Sequence, residues 1–202
     1  MLKSRWLTLM KYLGFSENID TLKLLLDAYS GNGRHYHNVK HLEAVLKCID
    51  NTAFLAENKY EIEIALWFHD SIYTLFSKSN ELDSAKWASR FLKKNSACME
   101  VQQHVNALIL ATAHLSPPKT NDEKLIVDID LLVLGLNESH YDKFLKEVRS
   151  EYRIVPTVIY RRKRKEVLSR FLKREKIYFL DYFFEKYESV ARENIKREIK
   201  SL

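Results

Sequence analysis

The sequence predicts an all-α protein, and three observations predict it. Four Gly and three Pro in 202 residues are about 3.5% turn-forming residues, against roughly 12% in average usage. That scarcity excludes sandwiches, barrels and Gly-rich linkers, all of which need many turns. Apolar residues recur at i, i+3 and i+4 almost throughout, with no alternating stretch. A 46% hydrophobic and 30% charged composition supplies a core and rules out disorder.

The elements follow in chain order. Ile19, Leu22, Leu25, Leu26 and Tyr29 form one apolar helical face with Ser16 as cap, and Gly31-Asn32-Gly33 ends it. The spacing of Val39, Leu42, Val45, Leu46 and Ile49 predicts a helix over 34–54. A shorter one over 61–69 buries Ile64, Ala65 and Phe68, and 71–78 is irregular. Helices are expected over 80–94 behind Ser79, over 98–115 closed by Pro117-Pro118, over 122–134 stopped by Gly135, and over 138–152 behind Asn137. Two long charged helices, about 157–174 and 177–200, follow the break at Pro156. The amphipathic start, Met1 to Trp6, has no signal-peptide character. The expected organisation is a single domain over 1–202, with a core of about 16–152 and a basic helical extension of about 157–202.

No apolar run reaches the ~18 residues a bilayer span needs, and the cysteines, Cys48 and Cys98, make no disulfide framework or CxxC motif. These features lead to an expectation of a cytoplasmic protein without a membrane partner. The net charge of +6 is local: residues 161–176 hold nine Lys or Arg and two Glu, so the remainder sums to −1. Such a strip suits nucleic acid, an acidic partner or another polyanion, or a solvated helix face. The run 161–165 contains no aromatic residue for base stacking.

Metal-competent side chains interrupt the apolar pattern in four places. His37 and His41 lie four apart; His69-Asp70 ends an apolar helix; His114 ends another; and Asp128 and Asp130 sit within Leu125–Leu134. Carboxylates in such surroundings are paired or coordinated. One divalent ion held by His41, His69, Asp70 and Asp130 accounts for all of them. Imidazole and carboxylate without thiolate point away from structural zinc and toward Mn, Fe, Co, Ni or Mg with open water positions. Such an ion lowers the pKa of its water and polarises a phosphoryl oxygen.

These motifs make the chain resemble the HD-domain superfamily, closest to predicted metal-dependent HD phosphohydrolases. The likeness runs from Arg34-His35-Tyr36-His37-Asn38 with His41-Leu42, through Ala65-Leu66-Trp67-Phe68-His69-Asp70 with Tyr73, Asn80-Glu81 with Ser84-Ala85, and Ala111-Thr112 with His114. It continues through Asp128 to Gly135, Arg149-Ser150-Glu151-Tyr152, Arg164 with Val167-Leu168, and Ala191-Arg192-Glu193-Asn194. The resemblance implies an HD-type helical fold, with the metal where three helices meet and His41, His69, Asp70 and Asp130 as ligands. His37 is the alternative for the first histidine, and Asp128 for the last carboxylate. It further implies hydrolysis of a small phosphate ester, including nucleotides, by a metal-activated water. Asp70 would orient that water, His114 and Arg34 steady the phosphate charge, and Glu81 serve as general acid or neighbouring partner. The Arg149–Tyr152 motif would hold later helices rather than touch substrate. Two other functions fit the same residues: an HD-type di-iron oxygenase, and a binding or regulatory module using the 161–176 strip.

Overall fold

The computed structural model describes residues 2–202, which form ten α-helices and two short 3₁₀ turns; among the described residues there is no strand. The protein is all-helical, as its periodicity predicts. Contacts cluster into two units, one extending to Ile126 and one spanning Val127–Leu202. Among the described residues no helix is long and apolar enough to cross a membrane.

The first unit contains α1 (Leu2–Tyr12), α2 (Ile19–Tyr29), α3 (Val39–Asn51), a 3₁₀ turn (Ala53–Leu55), α4 (Lys59–Phe68), α5 (Asn80–Lys94) and α6 (Met99–Ala111). Helix α7 (Asn121–Asp130) begins in it and runs unbroken past the border at Ile126. The core forms around α4, where Ile62 and every residue from Ile64 to Phe68 are sealed from solvent. A helix buried on all sides suits the centre of a bundle, because no polar stripe faces water. Trp6 of α1 meets Trp67 edge-on at 5.2 Å, and Phe68 packs against Phe91 and Trp87 of α5. Burying one such Phe side chain stabilises by about 1.5–3 kcal/mol.

Several elements depart from their expected bounds, and each departure has a local cause. Helix α1 has a buried face of Trp6, Leu9 and Met10, although the sequence reading assigned no helix there. Asn18, not Ser16, stands before α2; its left-handed backbone (φ 48°) is held by amide bonds to Ser16 O and Asn95 Oδ1. Helix α3 starts at Val39 rather than near 34, because Asn38 caps it, accepting from Lys40 N at 2.8 Å. Helix α6 ends at Ala111, and His114 follows it at φ 55°.

The second unit contains the end of α7, a 3₁₀ turn (Leu131–Gly135), α8 (Glu138–Glu151), α9 (Thr157–Lys173) and α10 (Asp181–Ser201). Gly135 stands where a Cβ would lie 2.5 Å from Tyr187 Cβ and 2.8 Å from Tyr178 Oη. Close approach of the α10 region therefore requires glycine there. The turn's carbonyls are satisfied by Tyr178 Oη, which donates to Leu131 O at 3.0 Å, and by Asn194 Nδ2, which donates to Leu134 O at 2.9 Å. Helix α10 starts four residues later than the periodicity predicts. Glu188 accepts the backbone N–H groups of Ile177 and Tyr178, and Asp128 accepts those of Phe179 and Leu180. Residues 177–180 thus give their donors to two buried carboxylates instead of a helical ladder.

A second ionic knot joins α8, α9 and α10. Arg164 grips Glu198 with two nitrogens, at 2.7 and 3.1 Å, and Tyr141 Oη donates to Glu198 Oε2 at 2.6 Å. Burial and the neighbouring Glu198 charge push the Tyr141 phenol above its ordinary pKa. Arg149 caps α8 by donating to Tyr152 O at 2.6 Å and lies over the Tyr160 ring at 4.7 Å. It ties α8 to the start of α9, in keeping with the expectation for its motif.

Candidate metal centre

The loop before α3 is built around Arg34. Its Nη1 donates to His37 O at 3.0 Å and Asp70 O at 2.6 Å, and its Nη2 donates to Ser71 O at 3.0 Å. Its guanidinium carbon lies 5.4 Å from the centroids of both the Tyr29 and Tyr73 rings. One planar cation therefore fixes the segment entering α3 to the turn leaving α4, with three donor bonds taken up by backbone carbonyls.

That arrangement brings three metal-competent side chains together. His41, in the first turn of α3, and His69, which caps the C-terminus of α4, are both buried. Their Nε2 atoms lie 3.1 Å apart. Asp70 Oδ2 lies 3.4 Å from His41 Nε2 and 3.2 Å from His69 Nε2. Metal bonds of about 2.1 Å hold adjacent ligand atoms about 3.0 Å apart at octahedral angles and about 3.4 Å apart at tetrahedral ones. The three separations fall at or between those values.

The hydrogen bonds also orient His69. Its Nδ1 lies 2.8 Å from Leu66 O, which only accepts, so the network assigns the proton to Nδ1. With that proton on Nδ1, His69 Nε2 faces His41 and Asp70; it donates to Asp70 as an imidazolium and offers the lone pair a metal-binding imidazole needs once that second proton leaves. A proton on His41 Nε2 or a shared cation closes the contact. Burial by itself would raise the Asp70 carboxyl, but the facing His69, His37 and His41 hold it well below the ordinary carboxylate range. Asp70 also donates its backbone N–H to Tyr29 Oη at 3.2 Å.

Asp130 closes helix α7 one turn beyond Ile126. His41, His69 and Asp130 each offer one ligand atom, and the three atoms all lie within 4.8 Å of one another. The group could hold a metal ion, and the mixture of imidazole and carboxylate without thiolate fits a divalent one.

The alternatives that the sequence leaves open occupy different places in the structure. His37 is not on the α3 face with His41 but in the preceding loop, stacked on Tyr73 with ring centroids 4.3 Å apart. The potential ligand group contains His41 and not His37. Asp128, fully buried, accepts from Phe179 N and Leu180 N at 2.8 Å each and so shapes the approach to α10. Asp130 is the carboxylate that joins the ligand group. Arg34 is bonded to the three carbonyls that shape the centre. His114 follows α6 in a left-handed turn, and Glu81 stands in the first turn of α5.

Sequence reasoning missed Tyr29 and the triad of Glu61, His104 and Asp122. His104 Nδ1 lies 2.7 Å from Glu61 Oε2 and its Nε2 3.7 Å from Asp122 Oδ2. Asp122 in turn accepts from Glu57 N and Asn58 N, anchoring the start of α4. These residues carry no distinguishing spacing; only their meeting in space marks them. Comparison with known protein families, curated proteins and solved structures finds no match.

Proposed function

We propose that this protein is a metal-dependent phosphohydrolase of the HD type, hydrolysing a small phosphate ester such as a nucleotide. The observation that carries the reading is the convergence of His41 Nε2, His69 Nε2 and Asp70 Oδ2 within 3.4 Å of one another. A cluster of that kind is costly to bury unless it serves a cation.

His41, His69, Asp70 and Asp130 hold the ion, whose identity is Mn, Mg, Fe, Co or Ni. When bound, it lowers the pKa of water and polarises a phosphoryl oxygen. Asp70, joined to His41 and His69 at its Oδ2, orients the attacking water through its remaining carboxylate capacity. Arg34 acts as a positioning residue, since its bonds to the carbonyls of His37, Asp70 and Ser71 fix the two segments that carry the histidines. His114 stabilises the developing phosphate charge, and Glu81 delivers the proton to the leaving oxygen.

The test is elemental analysis of the purified protein, followed by turnover of a panel of phosphoesters with each of the five metals in turn. Turnover should require the metal and fall at least about 1,000-fold in Asp70→Ala, by analogy with the loss of a central catalytic group. Unchanged turnover in that variant, or none with any of the five metals, overturns the reading.

A further inference from the structure

The basic strip is absorbed by neither the fold nor the candidate centre. Most of it lies on α9, and its cations divide into two sets. Arg164 points inward to Glu198 and Lys163 pairs with Glu166 at 3.0 Å. Arg161, Arg162, Lys165, Arg170 and Lys173 are exposed, and among the described residues none makes an ion pair or hydrogen bond. Apart from Glu166, whose charge Arg162 and Arg170 feel together with Lys163, these five cations have no acid among them and repel one another, so the fold itself gives little reason for them.

Their placement is regular. At about 100° per residue, Lys165, Arg162, Lys173 and Arg170 fall within an arc of about 140°, and Arg161 flanks it. Along the axis the set covers about 18 Å at 1.5 Å per residue. Arg162, Lys165, Ser169, Arg170 and Lys173 line one open recess along the helix. Its acid, Glu166, is the one already paired with Lys163. Ser169 adds a hydroxyl of the kind that contacts phosphate oxygens.

We infer that this face of α9 binds the phosphate backbone of a double-stranded nucleic acid without reading its sequence. The stretch matches about half a helical turn of duplex, where a row of phosphates is presented at intervals a cationic helix can follow. Single strands are disfavoured because no aromatic side chain belongs to the cationic arc: Phe171 lies beneath Arg174 at 4.6 Å and Tyr160 is buried. Tyr160 and Leu168 of α9 are buried while Val158, Ile159 and Val167 are exposed, so an anionic lipid surface is the competing occupant that the experiment separates. The inference is independent of the proposed phosphohydrolase activity.

The experiment is fluorescence anisotropy of a labelled 20-base-pair duplex titrated with the full-length protein across a salt series. Five phosphate contacts give a log–log slope of about −4.5, so affinity falls about 500-fold from 50 to 200 mM salt. In the variant R162Q/K165Q/R170Q/K173Q the slope should drop to about −1 as one contact remains. These positions are exposed, and a thermal melt matching that of the parent protein excludes misfolding. No binding to the duplex at 50 mM salt overturns the inference, as does an unaltered slope in the variant. Tighter binding to a single strand of equal length, or to anionic phosphatidylserine vesicles, overturns it as well.

Discussion

Asp128, Glu188 and Glu198 of the second unit and Asp70 of the first are carboxylates used in opposite ways. In the second unit the partners are at hand: Asp128 and Glu188 take four successive backbone N–H groups, and Glu198 takes Arg164 and Tyr141. In the first unit, the Asp70 carboxylate is turned toward the Nε2 atoms of two imidazoles. The first arrangement is closed, because donors and acceptors are matched within the protein. The second gathers groups that all become acceptors once the imidazoles give up their Nε2 protons, a set that a cation satisfies and a fold alone does not require. A carboxylate in an apolar helix is therefore not by itself the mark of a site; the mark is a set of acceptors that face one another.

This contrast can be broken at either end. The largest effect is expected from His69→Ala or His41→Ala, which should weaken divalent-metal binding about 100-fold or more, since even outer partners of metal ligands cost 10–100-fold. Equilibrium dialysis with elemental analysis reads the loss, while urea unfolding of the apo protein should change little by comparison. Glu198→Ala should do the reverse: metal binding stays, and stability falls by about 3–5 kcal/mol because Arg164 is left buried and unpaired. Replacing both partners with Leu and Met should recover much of that loss in the same urea experiment. Asp128→Ala is expected to cost about 2–3 kcal/mol, as the Phe179 and Leu180 N–H groups lose their acceptor.

The smallest effect concerns Glu63, which lies on α4 and bonds to Arg5 Nε at 2.7 Å. Burial raises its carboxyl above the ordinary value despite Arg5. A raised folded-state pKa contributes stability below the unfolded value, and that contribution is lost as pH rises through the folded value. Glu63→Gln does not titrate, so its stability relative to the parent should improve from pH 4 to pH 7. Urea midpoints at the two pH values check the sign.

Much of this was legible in the chain itself, for identifiable reasons. Helices α2, α5, α8 and α9 lie about where apolar spacing places them, because periodicity acts over a few residues, although α2 is preceded by Asn18 rather than capped by Ser16. Asn137 does cap α8, accepting from His140 N. The boundaries that moved were set by distant partners. Residues 177–180 read as helix but are held out of it by Asp128 and Glu188, and 34–38 read as helix but are held by Arg34 and the Asn38 cap. His69, Asp70 and Asp130 stood out as polar groups in apolar runs. His41 and His37, and Asp130 and Asp128, stayed interchangeable because spacing along a helix does not say which face meets another segment.

The sequence by itself determined the helical class, the approximate helix positions, the place of the basic strip and the small set of residues able to bind a cation. Those properties are one-dimensional: they follow from composition, from a period of 3.6 and from charge counted along the chain. Only the tertiary structure decided which of the polar residues are matched within the fold and which face a common point. That choice depends on contacts between residues tens of positions apart, such as Arg34 with Asp70 or Phe179 with Asp128, and no local pattern encodes them.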